Sequence, residues 1–444
     1  MKTLKPICRL VLTAAFALAA CSKEDPAPTP EPIPDPDPDP EKTEIVIGQT
    51  EYTLDAVEER TATVAFTAAA DWTLSVVYDD AESAADWLSV TPMSGTAGEQ
   101  TVELSAARNF RASARTAYAD LSCGEQSVRL TVTQAASGDT DFTAQFDEAF
   151  AKELQKQGII ADAEHITPED MEKIAAITSL DVAGDYYNPG TLTSLQGIEY
   201  FESLTGLDCS YNQLTSLDLS RNTALTELRC DYNQLPSLDV SRNTALTALY
   251  CNNNQLTELD VRQNTALTGL WCYDNQLTTL DVSANTALTW LDCASNSLTT
   301  LDVSANTALT WLDCASNSLT TLDVSANTAL TYLHCGSNQL TSLDVSANTA
   351  LTYLSCGSNQ LTSLDVRANT ALTYLHCGSN QLTLLDVRAN TALTQLTCKD
   401  NPGDGESTFP VTAWFDTKPE NLTVNQTSWT YGGKTITINF QKAE

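Results

Sequence analysis

A pattern of 21 residues recurs along the second half of the chain. One unit, residues 225–235, reads Leu-Thr-Glu-Leu-Arg-Cys-Asp-Tyr-Asn-Gln-Leu, and a second run, Leu-Asp-Val-Ser-x-Asn-Thr-x-Leu, completes the period. Alternating apolar positions such as Leu228 and Cys230 are typical of a strand with one buried face. A repeat of this length predicts a coil in which equivalent residues of successive turns stack into columns.

Ten cysteines mark the interior of the predicted coil. They are Cys209, Cys230, Cys251, Cys272, Cys293, Cys314, Cys335, Cys356, Cys377 and Cys398. Strands ~4.8 Å apart hold their thiols farther apart than the Cβ separation of ~3.8 Å that suits a disulfide. A straight column also offers no tetrahedral zinc site. We therefore expect a structural ladder of free, buried thiols with no metal, although an oxidising compartment leaves some bridging open. Asparagines at 222 and 233 begin two further columns, whose amides can bond the backbone at the turns.

The rest of the chain divides by pattern. Residues 45–136 alternate in short segments broken by turns, which predicts an antiparallel sandwich. Residues 141–178 show helical periodicity with a helix start at Thr167-Pro168, and predict a helical cap for the coil over 179–401. Residues 402–444 contain Trp414, Trp429 and a hairpin-like segment at 430–435, and predict a β cap at the other end.

Composition narrows the possible functions. The 444 residues carry a formal charge of −34, which argues against nucleic acids and anionic membranes as partners. His165, His334 and His376 are the only histidines, and the last two fall two turns apart, too far to share a metal. No nucleophile–base set and no phosphate loop accompany them, so we expect no enzyme and no cofactor; an activity hidden in 402–444 is the least favoured alternative.

The first 44 residues predict where the protein is located in the cell. Residues 1–20 have a basic start, a short apolar run and small residues at the end, as in a secretory signal peptide. Leu-Ala-Ala-Cys at 18–21 resembles the lipobox of bacterial lipoproteins, which implies lipidation of Cys21 and outer-membrane anchoring; the alternative is an ordinary signal peptide with a chance cysteine. The acidic residues 22–25 resemble the export signal of Bacteroidetes surface lipoproteins. Residues 21–44, rich in Pro and Asp, predict an extended stalk.

Two resemblances to known families follow from the motifs. Residues 85–98, with Trp87 and Pro92 in Ala-Asp-Trp-Leu-Ser-Val-Thr-Pro, and Val-Thr-Gln at 132–134 resemble the BACON domain, an Ig-like module of Bacteroidetes surface proteins. That resemblance implies either carbohydrate binding or a spacer, and we favour the spacer because Trp72 and Trp87 fit a core better than a sugar platform. The 21-residue unit resembles the internalin J-like leucine-rich repeats of bacterial adhesins, which implies binding of surface molecules. The carboxyl end lacks their cell-wall sorting motif.

The predicted fold is multi-domain. An Ig-like β-sandwich precedes a right-handed leucine-rich-repeat solenoid of short parallel strands with few or no convex helices, capped by helices at one end and β structure at the other. A surface binding or adhesion role toward a host or neighbouring-cell protein is the leading functional hypothesis. Capture of a glycan or mucin in a polysaccharide-use system is the alternative.

An aromatic stripe crosses the outward side of the predicted strands. Its members are Tyr250, Trp271, Tyr273, Trp290, Trp311, Tyr332, Tyr353 and Tyr374, with Tyr211 and Tyr232 two residues beyond their cysteines. Exposed aromatic patches mark interaction sites, so we predict the ligand here. Alternatively, stacked pairs on adjacent strands simply stabilise the sheet by roughly 0.2–1 kcal/mol each. Residues 290–310 and 311–331 are identical, so the two tryptophans are not independent observations.

An aspartate column recurs in the second run of each repeat. It comprises Asp218, Asp239, Asp260, Asp281, Asp302, Asp323, Asp344, Asp365 and Asp386. Stacked carboxylates repel one another and need compensation. Backbone N–H groups of the following turn are the favoured source, and a row of calcium ions is the minority alternative because glycine-rich calcium loops are missing.

Overall fold

The computed structural model describes residues 45–58, 60–78, 87–415 and 417–443. The predicted signal peptide, Cys21 and the stalk fall in 1–44, outside the described residues. What is described forms a β-sandwich, a pair of helices, a long parallel sheet and a small final sheet.

Within those ranges, no helix is long and apolar enough to cross a membrane.

Nine strands build the sandwich in the ranges that the structure describes. They are β1 Ile45–Ile47, β2 Glu51–Leu54, β3 Thr61–Ala68, β4 Trp72–Tyr78, β5 Leu88–Thr91, β6 Ser94–Gly95, β7 Gly98–Ala106, β8 Arg115–Cys123 and β9 Gln126–Gln134. One sheet has the order β1-β3-β7-β5 and the other β2-β9-β8-β4-β6. Inward residues alternate with outward ones, and Trp72 and Trp87 are each only 2% exposed. Both tryptophans are core residues, as predicted.

The sandwich packs directly against the helical cap. Phe110, after β7, meets Phe142 edge-on with ring centroids 5.6 Å apart. The Arg108 guanidinium lies 4.6 Å from the ring centroid of Tyr200 and is 3.4 Å from a carboxylate oxygen of Glu202. Aromatic contact and a shielded ion pair together hold the first domain on the second.

Two short helices form the cap. Helix α1 spans Glu148–Lys156 and α2 spans Pro168–Ala176. The Asp147 carboxylate caps α1, and Thr167 with Asp170 forms a capping box on α2, in agreement with the predicted helix start. A 3₁₀ turn precedes α1 at Thr143–Gln145 and another follows α2 at Ile198–Tyr200. The helices bury one apolar face over the first rung of the solenoid.

The solenoid is a single parallel sheet of twelve strands. In order they are β10 Ser179–Asp181, β11 Gly206–Asp208, β12 Glu227–Arg229, β13 Ala248–Tyr250, β14 Gly269–Trp271, β15 Trp290–Asp292, β16 Trp311–Asp313, β17 Tyr332–His334, β18 Tyr353–Ser355, β19 Tyr374–His376, β21 Gln395–Thr397 and β23 Thr423–Val424. Strands β11 to β19 and β21 are each followed directly by one ladder cysteine. Turns, not helices, close the outer side of residues 206–401, all of which are described. The second run of the repeat becomes a strand only at β20, Leu385–Asp386.

Leucine, cysteine and asparagine columns fill the interior. Leu291, Cys293 and their equivalents are fully buried, and the ten ladder thiols are free. Burial raises the pKa of these thiols, so they remain protonated at neutral pH. The Asn317 amide donates to the carbonyls of Cys293, Cys314 and Ala315 and accepts the Leu298 N–H at 2.9 Å. Asparagine therefore satisfies the backbone at each inner turn, as predicted.

The final sheet closes the other end. It joins β20 to β22 Thr408–Ala413, β24 Ser428–Tyr431 and β25 Lys434–Lys442 in the order β20-β22-β25-β24. Gly432 and Gly433 both have positive φ, as a tight hairpin turn requires. Trp429 is buried, and its indole N–H donates to the Asn401 carbonyl at 2.8 Å. The last asparagine rung is thereby covered by the predicted β cap.

Candidate binding face

The first and third residues of each three-residue strand point away from the core. In β15, Leu291 is fully buried, whereas Trp290 and Asp292 are partly exposed. Strands pair in register, so each outward position forms a column running along the solenoid. The columns vary from rung to rung, unlike those of the interior.

Seven aromatic rings on this face form one continuous stack, here named the ring stack. Its members are Tyr250, Trp271, Trp290, Trp311, Tyr332, Tyr353 and Tyr374. Five of the six contacts are parallel, with ring centroids 3.4–4.2 Å apart. In-register side chains of neighbouring strands start ~4.8 Å apart, and the rings tilt and lean together to reach the closer stacking distance.

The ring stack changes column between β14 and β15. Tyr250 and Trp271 are third residues of their strands, whereas Trp290 and all later rings are first residues. Trp271 crosses because Gly269 stands beside it: a Cβ on that glycine would lie 2.5 Å from the indole ring. The resulting Trp271–Trp290 contact is tilted by 32° with centroids 5.8 Å apart. The diagonal path of the stripe therefore depends on a missing side chain.

Stacking determines which part of each ring is exposed. Rings inside a parallel stack have both faces covered by neighbours, so solvent reaches their edges. At the start of the stack, the Arg229 guanidinium lies 4.5 Å from the ring centroid of Tyr250 and covers its outer face. The ring stack thus exposes mainly the edges of its aromatic rings and leaves few ring faces on which a sugar ring could lie.

The eighth predicted residue, Tyr273, lies outside the ring stack. It is close to Tyr232, and burial followed by that neighbour raises the pKa of the Tyr273 phenol. Tyr232 stacks in parallel on Tyr211 at 4.2 Å as a separate pair. Both tyrosines of this pair have positive φ, near 52°, at the turn after the cysteine.

A row of polar side chains runs beside the later rings and is here named the polar shelf. It consists of Asp292, Asp313, His334, Ser355 and His376, the third residues of β15 to β19. The His334 Nδ1 is 3.0 Å from an Asp313 carboxylate oxygen, and the His376 Nδ1 is 3.4 Å from the Ser355 hydroxyl. The two histidines share a column but are two rungs apart, as the sequence indicated.

Small residues border the polar shelf on the side away from the rings. They are Ala294, Ala315, Gly336, Gly357 and Gly378. A Cβ at Gly357 would lie 2.8 Å from the His376 ring, so that ring occupies the space that a side chain would take. Across the face, large aromatic side chains are therefore followed by shorter polar side chains and then by residues with little or no side chain.

The carboxyl group of Asp292 has a strongly altered proton affinity. Burial, and then the charge of neighbouring Asp313, raise the pKa of Asp292 from 3.8 to about 7. Burial lowers the pKa of His376. The polar shelf thus holds one carboxyl group, that of Asp292, that exchanges protons near neutral pH.

The aspartate column lies on another side of the solenoid and behaves differently. Each carboxylate accepts the N–H two residues on, as Asp302 does from Ser304 at 2.9 Å. The Ser304 hydroxyl and N–H lower the pKa of Asp302. The favoured explanation, compensation by backbone donors, is confirmed. Within the described ranges, acidic, histidine and cysteine side chains form no group of three that could hold a metal ion.

Sequence reasoning missed two features of this face. Gly269 and the polar shelf were not predicted, although reading the residue before each cysteine down the repeats lists Asp292, Asp313, His334 and His376 in order. The polar shelf could therefore have been predicted from the repeat pattern. The role of Gly269 could not, because it depends on the side-chain rotamer of Trp271.

Comparison with known families and structures covers both main regions. Residues 44–137 match the family model of the viral BACON domain, and residues 328–369 match that of leucine-rich repeats in two copies. No curated protein matches the chain.

Three solved structures illustrate the likeness. The functional domain of InlJ from Listeria monocytogenes, which includes a cysteine ladder, is 32% identical, with 62% of this chain and 82% of that chain covered and a TM-score of 0.32. YopM, a leucine-rich effector from Yersinia pestis, is 25% identical, with 51% and 70% covered and a TM-score of 0.41. The leucine-rich repeat domain of APL1B is 19% identical, with 62% and 99% covered and a TM-score of 0.43.

Proposed function

The chain belongs to the internalin-like leucine-rich-repeat proteins with a cysteine ladder and carries a BACON domain before its repeats; from that premise we propose that it is a non-enzymatic adhesion protein that binds a host or neighbouring-cell protein through its sheet face. Both kinds of domain are generally binding modules. The ring stack carries the proposal, since contiguous partly exposed aromatic side chains are typical of protein interaction sites.

The covered ring faces favour a protein partner over a glycan. Sugars bind aromatic residues by lying on a ring face, and inside the ring stack those faces are occupied by neighbouring rings, as between Trp290 and Trp311 at 4.1 Å. Protein side chains can pack against ring edges and hydroxyls. Glycan capture remains the competing outcome of the test.

The test uses the full chain and a double variant, Trp290→Ala with Trp311→Ala. We expect this variant to lose at least ten-fold in binding to host or bacterial cell surfaces. The matched control is Tyr186→Ala with Tyr187→Ala, two exposed aromatics in the same domain that are 75% and 86% accessible. Protease treatment of the target cells should abolish binding, whereas glycosidase treatment should not.

Two results would contradict the proposal. Unchanged binding by the tryptophan variant, together with a lower melting temperature, would reduce the ring stack to a structural element. Loss of binding after glycosidase treatment alone would identify a glycan as the ligand.

We further propose that lipid on Cys21 anchors the chain in the outer membrane, with the stalk holding the domains clear of the surface. Two acyl chains suffice for stable anchoring where one does not. Cys21→Ala should move the protein from the membrane fraction to the soluble fraction, and Cys8→Ala, which changes another cysteine of the same segment, should not. Equal fractionation of both variants would exclude this anchor.

A further inference from the structure

The polar shelf holds two carboxylates with incomplete partners. Asp292 and Asp313 pair in register on neighbouring strands. Each accepts one backbone N–H, from Ala294 at 3.2 Å and from Ala315 at 3.0 Å. Among the described residues, the one ionic contact to either carboxylate is His334, at 3.0 Å from Asp313. No cationic side chain in the described part of the chain forms an ion pair with Asp292.

The basic residues of this face are engaged elsewhere. Arg229 is three strands from Asp292; it bonds Glu227 at 2.8 Å and covers Tyr250. Lys399, near the other end of the face, is 3.5 Å from Asp400. Asp313 therefore has one histidine beside it and Asp292 has no cation, on a chain of charge −34. A cation supplied from outside would favour ionisation of Asp292, whose raised pKa reflects burial and the charge of Asp313.

The acid pair is bordered by small residues on one side and by aromatic rings on the other. Ala294 and Ala315 lie on one side of the pair, and the edges of Trp290 and Trp311 rise on the other. An incoming side chain can lay its aliphatic stem along the tryptophan edges while its head reaches both carboxylates.

We propose that this part of the face seats a basic segment of the partner protein, with an arginine or lysine side chain paired to Asp292 and Asp313. The proposal rests on the proposed function and names the chemistry of its partner. A guanidinium presents several donors in a rigid fork and spans in-register carboxylates ~4.8 Å apart better than a neutral group does. Neutral sugar hydroxyls would leave the charge uncompensated, and the long-range negative potential also favours a basic partner.

The experiment measures binding of an end-capped hexa-arginine peptide to the full chain by titration calorimetry. Asp292→Asn with Asp313→Asn should weaken binding at least ten-fold. The matched control, Glu103→Gln with Glu258→Gln, replaces two carboxyl groups at exposed positions elsewhere and should change the affinity less than two-fold. Melting curves verify that both variants fold, and Asp292→Asn alone replaces the pair if it does not.

Three outcomes would overturn the proposal. Equal weakening of hexa-arginine binding by the two variants would mean that the affinity depends only on the net charge of the chain. Binding of cellohexaose that the Asn pair abolishes, with hexa-arginine unaffected, would make the polar shelf a glycan site. Retention of cell-surface binding by the Asn pair, while the Trp290 and Trp311 variant loses it, would reject the polar shelf and leave the proposed function intact.

Discussion

The two sides of each solenoid strand obey different rules. Inward, Leu, Cys and Asn repeat with almost no variation, and nearly all of them are buried; Asn275 and Asn296 are partly buried. Outward, the same strands carry Ala248 in one rung, Trp290 in another and Tyr374 in a third. A buried column must fit identical neighbours above and below, so any exception creates a cavity or an unpaired polar group. An outward column contacts solvent, so its residue types can vary from rung to rung. Residues that recognise a ligand can therefore be placed there without disturbing the core.

The largest effect should come from breaking an inner column. Asn317→Ala removes an amide that bonds three carbonyls and one N–H, all buried. We expect the free energy of unfolding to fall by roughly 3 kcal/mol or more, since each unsatisfied buried group costs about 1–3 kcal/mol. Chemical denaturation measures this. Gln339→Ala, at an exposed position of the next rung, should cost less than about 0.5 kcal/mol. Similar losses would mean that the inner columns are not the stabilising element.

A smaller effect should come from blocking the crossing of the ring stack. Gly269→Val places side-chain atoms where the Trp271 ring now lies, so the contact with Trp290 is lost. We expect a loss of about 1 kcal/mol, the scale of one aromatic pair, and a shift in tryptophan fluorescence. Gly206→Val is the matched control, because a Cβ there meets only the Ser179 hydroxyl at 3.8 Å. If both variants behave alike, Gly269 has no special role.

The smallest effect should be pH-dependent and confined to the outward side. Asp292 is protonated below about pH 7 in the folded chain, whereas the unfolded chain ionises near the ordinary pKa of 3.8. The folded state therefore binds more protons between these values, and stability falls as pH rises from about 4 to about 7. Asp292→Asn should be more stable than the wild type at pH 8, by less than about 1 kcal/mol because solvent screens this partly exposed group, and lose that advantage at pH 4.

The control for this measurement is Asp302→Asn, whose carboxylate has a lowered pKa and should show no gain at pH 8. Asp313, Asp274 and His334 also act on the pKa of Asp292 and are present in both proteins, so the difference between the two curves isolates one group. A flat difference between pH 4 and pH 8 would contradict the altered affinity.

Features that recur in every repeat could be predicted from the sequence, whereas features that occur at a single position could not. The strand, the inward Leu228 and Cys230, and the asparagine bonds follow from a repeat that allows one packing solution. The helix start at Thr167 follows from local capping chemistry. By contrast, the edge-on exposure of the rings and the crossing at Gly269 depend on side-chain rotation, which no spacing records.

The docking of the sandwich on the cap was equally hidden. The sequence indicated a spacer, yet Phe110 and Arg108 bury themselves against Phe142 and Tyr200. These contacts join residues far apart in the chain, and single residues of a non-repeated segment give no periodic signal. A domain predicted to act as a spacer is therefore also part of the covering of the solenoid.

The identity of residues 290–310 and 311–331 has an evolutionary consequence. One in-frame duplication of a single unit placed Asp313 beside Asp292 and Trp311 beside Trp290. The acid pair and the two neighbouring tryptophans of the ring stack therefore arose together. Interior columns accept an added turn without adjustment, because each rung touches only its neighbours. Recombination between repeats can therefore lengthen the rod and create a new recognition property in the same event, before selection acts on any point mutation.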